Sequence, residues 1–300
     1  MIKLSIIIVN YNTYNLTKQT IDSILDKEYS FSYEIILIDN ASIDGSIEML
    51  EQDLKVFEDK VHILINSTNL GFAKANNQGI RAAKGEYILL LNSDTFILEG
   101  CLQEALSKVT SDRQIGALGG KVMLPDGSLD HACKRGFPTP KAALYYFLKL
   151  DRKAPLKYGQ YDALHLGEDE SGEVDVLMGA FMLMPKKVLH EVGLLDEAFF
   201  MYGEDIDLCY RIKGAGYKVF YYPQAKLIHY KGGSSKKKRH KVIYDFHEAM
   251  WLFYKKHYFR KYSFLITALA YSGIWLKCGL ALVSNLFKKS TDWNETSING

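Results

Sequence analysis

Three short, unbroken apolar runs, residues 5–9, 35–38 and 88–91, lie about thirty to fifty residues apart with helical patterns between them, the signature of buried parallel strands joined by helical crossovers. Between the first two, Leu16, Thr20, Ile24 and Leu25 recur at helical spacing within 16–27. Between the second and third, the pattern predicts helices over 44–54 and 71–83 and a weaker strand over 61–65. About a hundred residues at the start of the chain therefore read as β-α-β-α-β-α-β, a doubly wound layer with right-handed crossovers.

The residues just past these strands are polar: Asn10-Tyr11-Asn12, Asp39-Asn40 and Asn92-Ser93-Asp94. Asn and Asp favour turns on their own account. In such sheets, however, ligands bind beyond the carboxyl ends of the strands, so three polar ends on one edge predict a site. The next hundred or so residues are less regular. They predict a strand over 115–124 with a turn at Pro125-Asp126-Gly127, a loop-rich insertion over 135–172 and a strand over 174–184. A short helix over 204–214, closed by Gly214 and Gly216, and two strands, 217–222 and 226–230, follow. In that helix Asp205 precedes Cys209 and Ile212 by four and seven residues, so it should share their inward face while Asp207 points outward.

Composition narrows the picture. With 300 residues, 48% of them hydrophobic, disorder is ruled out and the chain suffices for one large domain or two fused halves. Its 37 basic and 35 acidic side chains give a net charge of +2, hence no general signal for nucleic acid. The local exception is the run Lys236-Lys237-Lys238-Arg239-His240-Lys241. Four well-separated cysteines, Cys101, Cys133, Cys209 and Cys278, argue against a zinc site or a disulfide framework and fit a reducing compartment. The first ten residues are too short an apolar run for a secretory signal, which predicts a cytoplasmic protein. Residues 263–287 are apolar apart from Lys277 and are flanked by Lys and Arg. Three uses are open to them: lying in a membrane interface with Trp275 at headgroup level, packing as a buried helix or homo-oligomer contact, or spanning, which the central lysine disfavours.

The usual phosphate cradles, G-x-G-x-x-G and G-x-x-x-x-G-K-[ST], are missing after the first strand, which argues against a dehydrogenase or a P-loop enzyme. A diphosphate can instead be held through Mg²⁺ or Mn²⁺ by one or two carboxylates, and Asp94 at a buried strand end is placed for that. Five segments carry a resemblance: 5–12 (SIIIVNYN), 38–46 (IDNASIDGS), 69–79 (NLGFAKANNQG), 89–94 (LLLNSD) and 193–208 (GLLDEAFFMYGEDIDL). In this order they resemble family 2 glycosyltransferases, the rhamnosyltransferase-like branch above all, over roughly residues 4–257.

The resemblance implies a GT-A fold: a doubly wound, mostly parallel α/β sheet with a smaller mixed acceptor-side region and C-terminal helices. It divides the chain into a glycosyltransferase domain over 1–232, with a nucleotide-binding half (1–98) and a metal and acceptor half (99–232), and a basic, membrane-associating tail over 233–300. Val9, Asn10, Tyr11, Asn12 and Asp39 would hold the nucleoside, Tyr11 by stacking and Asp39 by accepting a ring N–H. Gly71, Phe72, Lys74 and Asn76 open a helix whose amides can face anionic oxygens, although Lys74 also reads as a plain exposed lysine. Asn92-Ser93-Asp94 stands where the family often has Asp-x-Asp. Asn92 suits a hydroxyl better than a metal, Asp94 becomes the metal carboxylate, and strict metal dependence is not implied.

His229 is implied as a second ligand to Mn²⁺ or Mg²⁺, against the plainer reading of a structural histidine. Asp205 is implied as the general base, with Glu204 beside it, against the alternative that acidic residues merely complement a helix dipole. Lys231 and the basic run would close on the diphosphate, contact anionic lipid or simply be solvated. Asp130, Arg135, Phe137, Gly179 and Ala180 fall on the acceptor side. The activity implied is inverting transfer of a sugar such as rhamnose from a dTDP- or UDP-sugar to a glycan or lipid-linked glycan, on the inner face of the cell membrane. The competing readings are a non-catalytic nucleotide-sugar-binding protein and a sugar-phosphate nucleotidyltransferase; the latter lacks its N-terminal Gly-rich loop here.

Overall fold

The computed structural model describes residues 2–147, 150–154, 158–231 and 239–287. In chain order the first elements are β1 (Leu4–Asn10), α1 (Tyr14–Leu25), β2 (Tyr33–Asp39), α2 (Ser46–Leu54), β3 (Val61–Ile65), α3 (Phe72–Ala82) and β4 (Tyr87–Asn92). They continue with β5 (Thr95–Ile97), α4 (Cys101–Ser111), β6 (Ile115–Met123), β7 (Lys134–Arg135), α5 (Pro140–Phe147), α6 (Leu150–Lys153), β8 (Gly172–Glu173) and β9 (Val176–Leu177). β10 (Phe181–Pro185), α7 (Lys186–Val192), α8 (Glu204–Gly214), β11 (Lys218–His229), α9 (Arg239–His257) and α10 (Phe264–Phe287) complete the order. Two compact units result, residues 1–236 and 237–300.

In the first unit the strands form one sheet in the order β3-β2-β1-β4-β10-β6-β11-β5, with β8 paired to β11. β1, β2, β3 and β4 run parallel. Ile6, Ile7, Ile8, the run 35–38 and Ile88 to Leu91 are essentially fully buried, as unbroken apolar strands covered on both faces must be. The chain winds one way from β1 through β2 to β3 and then returns past β1 to β4, which puts the topological switch between β1 and β4. β1 ends in Asn10 and β4 in Asn92, with register pairs Asn10–Asp39 and Val9–Asn92, so the sheet itself brings the three polar ends side by side.

The second half differs from the reading of its sequence in three places. The single strand expected over 174–184 is split: β9 pairs with β7 in a separate two-stranded sheet, while β10 runs antiparallel between β4 and β6. A turn in which Phe181 N–H donates to the Met178 carbonyl separates them, and the apolar residues on either side of Gly179 do not record a change of sheet. The pair expected over 217–222 and 226–230 is one strand, β11, whose register on β6 slips between Tyr222 and Lys226. Pro223 within the slip has no N–H to donate, and a bulge absorbs it. Opposite it, a Cβ on Gly120 would sit 2.4 Å from the Ala225 carbonyl oxygen, so only glycine fits. The 135–172 segment expected as loop contains α5 and α6.

Candidate active site

At the donor-side edge, Asn10 is fully buried and is the hub of a network of amides and hydroxyls around one carboxylate, Asp39. Its Nδ2 donates to Asp39 Oδ1 (2.8 Å) and approaches the Ser42 and Ser46 hydroxyls (3.0 and 3.1 Å), while its Oδ1 accepts from Thr13 and Thr17. Asp39, 1% exposed, also accepts from the Ser42 hydroxyl and amide. Three acceptor positions of its carboxylate are thus occupied, and what remains open lies on Oδ2. Asn12 holds the facing loop by accepting from Ile43 N–H at 2.8 Å. Next to it Asn40 accepts from Asn66 and Leu70 and donates to Asn69. Asn40 and Ser42 had no role assigned from sequence; the Asp-x-x-Ser spacing of an Asx-type turn is the signal that marks Ser42.

The start of α3 is engaged with the protein itself. Gly71 N–H donates to Asn69, Phe72 N–H donates to the Phe200 carbonyl at 2.8 Å, and Asn76 is buried with its amide on the Phe72 carbonyl. A Cβ on Gly71, at φ +85°, would sit 2.5 Å from the Phe200 oxygen. Lys74 is exposed.

Past β4 the chemistry becomes charged. β5 pairs with β11 so that His229 lies opposite Thr95, and the Asp94 carbonyl accepts from Tyr230 N–H. His229 Nε2 lies 3.1 Å from Asp94 Oδ1 and 3.4 Å from the Asn92 side-chain amide; its Nδ1 lies 3.4 Å from Asp130 Oδ2. Burial works against charge on this imidazole, but the hydrogen bonds and charges of Asp130 and Asp94 outweigh it and raise its pKa to about 9. Asp130 is 2% exposed. Burial raises its pKa, yet donation from His229 and Lys231 prevails and holds it at about 2. The Lys231 ammonium reaches Asp130 Oδ1 at 2.9 Å, so it is turned toward this carboxylate. The placement of Asp130 behind His229 departs from the acceptor-side role implied for it. Thr20 of α1 clamps the turn from behind, donating to the Ser93 and Thr95 carbonyls, and Ser93 Oγ lies 3.5 Å from Thr13.

The third group gathers at the start of α8. Arg135 Nη2 donates to Asp205 Oδ2 at 2.9 Å with both side chains largely buried, and Asp205 Oδ1 accepts from Ile206 N–H. The Asp205 charge raises the Arg135 pKa against the opposing effect of burial. Glu204 is buried and its Oε2 has no hydrogen-bond partner among the described residues; burial first, and the Asp205 charge second, push its pKa up to about 8. Asp207, expected to point outward, is instead fully buried and pairs with Arg211 at 2.8 Å, which in turn holds the carbonyls of Val192, Gly193 and Leu194. The loop before the helix crosses this face, and so both helix faces at the first turn are inward. Phe137 stacks edge-on against Tyr210, and a cavity of about 320 Å³ opens beside Arg135 and Phe137, lined also by Gln160, His165, Asp175 and Lys213.

The last two groups meet at one turn. Asn92 N–H donates to the Ala180 carbonyl at 3.1 Å, while the Cβ position of Gly179 lies 3.5 Å from the Phe72 ring and 3.8 Å from Asp205 Cβ. Asn12, Ala41, Tyr202 and Lys231 all take positive φ, four of the five such non-glycine residues described, and each belongs to one of these loops. Backbone held in this region is characteristic of functional sites. Among the described residues no group of three His, Cys, Asp or Glu side chains forms a metal cage.

Comparison with known proteins adds the family. The profile described as Glycosyl transferase family 2 matches residues 5–157, from β1 past Arg135 and through α6. The N-acetylglucosaminyl-diphospho-decaprenol L-rhamnosyltransferase of Mycobacterium tuberculosis is 26% identical over 231 residues, 73% of this chain and 73% of that protein. The uncharacterized protein y4gI of Sinorhizobium fredii is 24% identical over 77% of this chain, which spans about a quarter (24%) of that relative's length. Among solved structures, the mannosyltransferase PcManGT from Pyrobaculum calidifontis, in complex with GDP-Man and Mn²⁺, aligns with a TM-score of 0.60 at 17% identity over 95% of this chain and 73% of that one, a likeness of fold. A profile match over half of the chain, laid on a sheet that reverses between β1 and β4, identifies the molecule: it has the GT-A fold and belongs to glycosyl transferase family 2.

Proposed function

We propose that the chain transfers one sugar, with inversion, from a dTDP- or UDP-sugar to a cell-surface glycan or lipid-linked glycan, residues 1–232 being the catalytic domain. Rhamnose is the transferred sugar this reading favours, supported by the M. tuberculosis relative. The observation that carries it is the turn at Gly179-Ala180, which joins the Asn92-Ser93-Asp94 end of β4 to Asp205. A leaving diphosphate at Asp94 and an attacking hydroxyl at Asp205 would then act on opposite sides of one anomeric carbon. The acceptor oxygen bonds to that carbon, the bond to the diphosphate breaks, and the acceptor proton passes to the Asp205 carboxylate. Arg135 fixes that carboxylate in position, and the cavity beside Arg135 and Phe137 is assigned to the acceptor.

Asp94 and His229 fit a divalent cation, Mn²⁺ or Mg²⁺. A carboxylate oxygen and an imidazole nitrogen stand 3.1 Å apart, a donor pair that would hold such an ion together, and beside them lies the Asn92 side chain, whose Oδ1 has no partner among the described residues. Such an ion, when bound, neutralises charge on the departing diphosphate. Two protein ligands suit a site completed by phosphate oxygens and water. Tyr11 and Asp39 are assigned to the base, and Asn92 and Ser93 to donor hydroxyls. Because the acceptor class includes lipid-linked glycans, the reading places the enzyme on the inner face of the cell membrane. Donor hydrolysis and transfer over a panel of nucleotide sugars, with Mn²⁺, Mg²⁺ or a chelator, test the reading. Turnover of one dTDP- or UDP-sugar that is lost in Asp205→Asn is the expected result; no turnover with any donor, or full turnover in the variant, overturns it.

A further inference from the structure

Within residues 237–300, α9 and α10 form an antiparallel hairpin along their length. Tyr254 meets Thr267 (3.1 Å), Trp251 meets Tyr271 (ring centroids 4.9 Å), Tyr244 meets Trp275 (5.6 Å), and Asn285 donates to His240 (3.3 Å). At about 100° per residue, Thr267, Tyr271, Trp275 and Asn285 share the face of α10 turned to α9, with the buried Cys278 among them. Leu265, Leu269, Leu276, Leu280 and Val283 fall on the opposite face as one strip, each 52–68% exposed. Lys277 lies at the edge of that strip, about 90° from its centre. An apolar strip this long on a soluble surface marks a docking site.

Charge identifies the occupant. The unit from residue 237 to 300 holds eleven Lys and Arg against four Asp and Glu, a net of +7 in a chain whose total is +2, leaving −5 on residues 1–236. A second copy of the hairpin would bring +7 against +7, whereas an anionic bilayer complements it. By length and composition α10 can cross a membrane. It is tied to α9, however, which carries Lys241, Asp245, Glu248, Lys255 and Lys256, and crossing would draw these charges into hydrocarbon. We infer that the hairpin is a monotopic membrane element: α10 lies flat at the headgroup–acyl boundary of an anionic bilayer, its leucine strip downward, Lys277 snorkelling at the edge, and α9 above it among the headgroups. This deepens the membrane placement proposed above and rests on it.

Flotation of the full chain with vesicles of phosphatidylcholine containing one third phosphatidylglycerol tests the inference, with pure phosphatidylcholine vesicles as control and donor hydrolysis measured in parallel. The expected result is binding on the order of tenfold weaker to the neutral vesicles and release by alkaline carbonate. Leu276→Glu with Leu280→Glu should lower binding about tenfold or more while donor hydrolysis persists. Leu276→Ser with Leu280→Ser serves if the charged pair does not fold. Equal binding by the variants, resistance to carbonate, or a wild type that self-associates through the strip without binding vesicles each overturns it. Vesicle binding without hydrolysis of any donor sinks the enzymatic reading alone; hydrolysis without vesicle binding sinks the hairpin alone.

Discussion

The wall of the candidate site contributed by β1, β2 and the start of α3 is mostly neutral: amides and hydroxyls that satisfy one another around a single carboxylate, with Asn10 and Asn40 at the centres and Asp39 held by three donors. The wall contributed by residues beyond β4 is charged: Asp94, His229, Asp130 and Lys231 in one chain of contacts, Arg135, Asp205 and Glu204 in another. Among the described residues three buried side-chain oxygens lack a hydrogen-bond partner: the Tyr29 hydroxyl, away from the site beside Phe31 and Tyr33, and Asn92 Oδ1 and Glu204 Oε2, which belong to the charged wall or its seam. A saturated neutral network rigidifies, since each lost partner strands another buried group. A charged cluster with open acceptors is stabilised less by itself than by what enters it. Substitutions in the first wall should therefore cost folding, and substitutions in the second should cost turnover.

The largest effect is expected for Asp205→Asn, which keeps the shape and, through its one remaining oxygen, a neutral hydrogen bond to Arg135, but removes the base and the ion pair: kcat falls about 10²- to 10⁴-fold with donor binding nearly unchanged and a modest drop in melting temperature, measured by steady-state kinetics and calorimetry. A large loss of stability there would erase the contrast between the walls. Next, Asp130→Asn frees the His229 ring and should weaken Mn²⁺ binding about 10- to 100-fold, as loss of a partner behind a ligating histidine does, read by titration calorimetry on the folded variant. Unchanged Mn²⁺ affinity would reduce Asp130 to a partner of Lys231. In the neutral wall, Asn10→Ala strands Asp39, Thr13 and Thr17 and should cost about 1–3 kcal/mol in urea unfolding. Loss of turnover at full stability would break the comparison from the other side.

The smallest effect concerns pH. Folded, Glu204 keeps its proton to about pH 8, against an ordinary value of 4.5. Between these values the folded state binds the extra proton. Its stabilising contribution is therefore complete below 4.5 and lost as pH rises through 8. Glu204→Gln should flatten the fall in stability across that window and make the variant relatively more stable on the alkaline side, as followed by thermal melts on both sides of neutrality.

The donor-side wall was the more legible in sequence, because its parts are local: apolar runs mark the strands and the residues after them mark the edge; in the charged wall the helix over 204–214 is read in the same local way, from its acidic start to its glycines. What escaped depends on partners far apart in the chain. Asp130 and His229 are 99 residues apart, and their pairing follows only from β6 and β11 running side by side across a bulge. The inward turn of Asp207 requires Arg211 to be caught by three carbonyls at the end of α7 and just beyond it, which no periodicity announces. The clamp of Thr20 on the Ser93 turn is likewise a tertiary fact written in an ordinary helix residue.

The position of β10 has a consequence for biosynthesis. Because it alone covers the outer edge of β4, that edge cannot be paired until Pro185 has emerged, 93 residues after Asn92. At elongation rates of about 5–20 residues per second, the nascent chain carries a bare, apolar strand for roughly five to twenty seconds. Neighbouring ribosomes on one message thus display the same unpaired edge at the same stage, the interval in which chaperone cover would guard against edge-to-edge pairing.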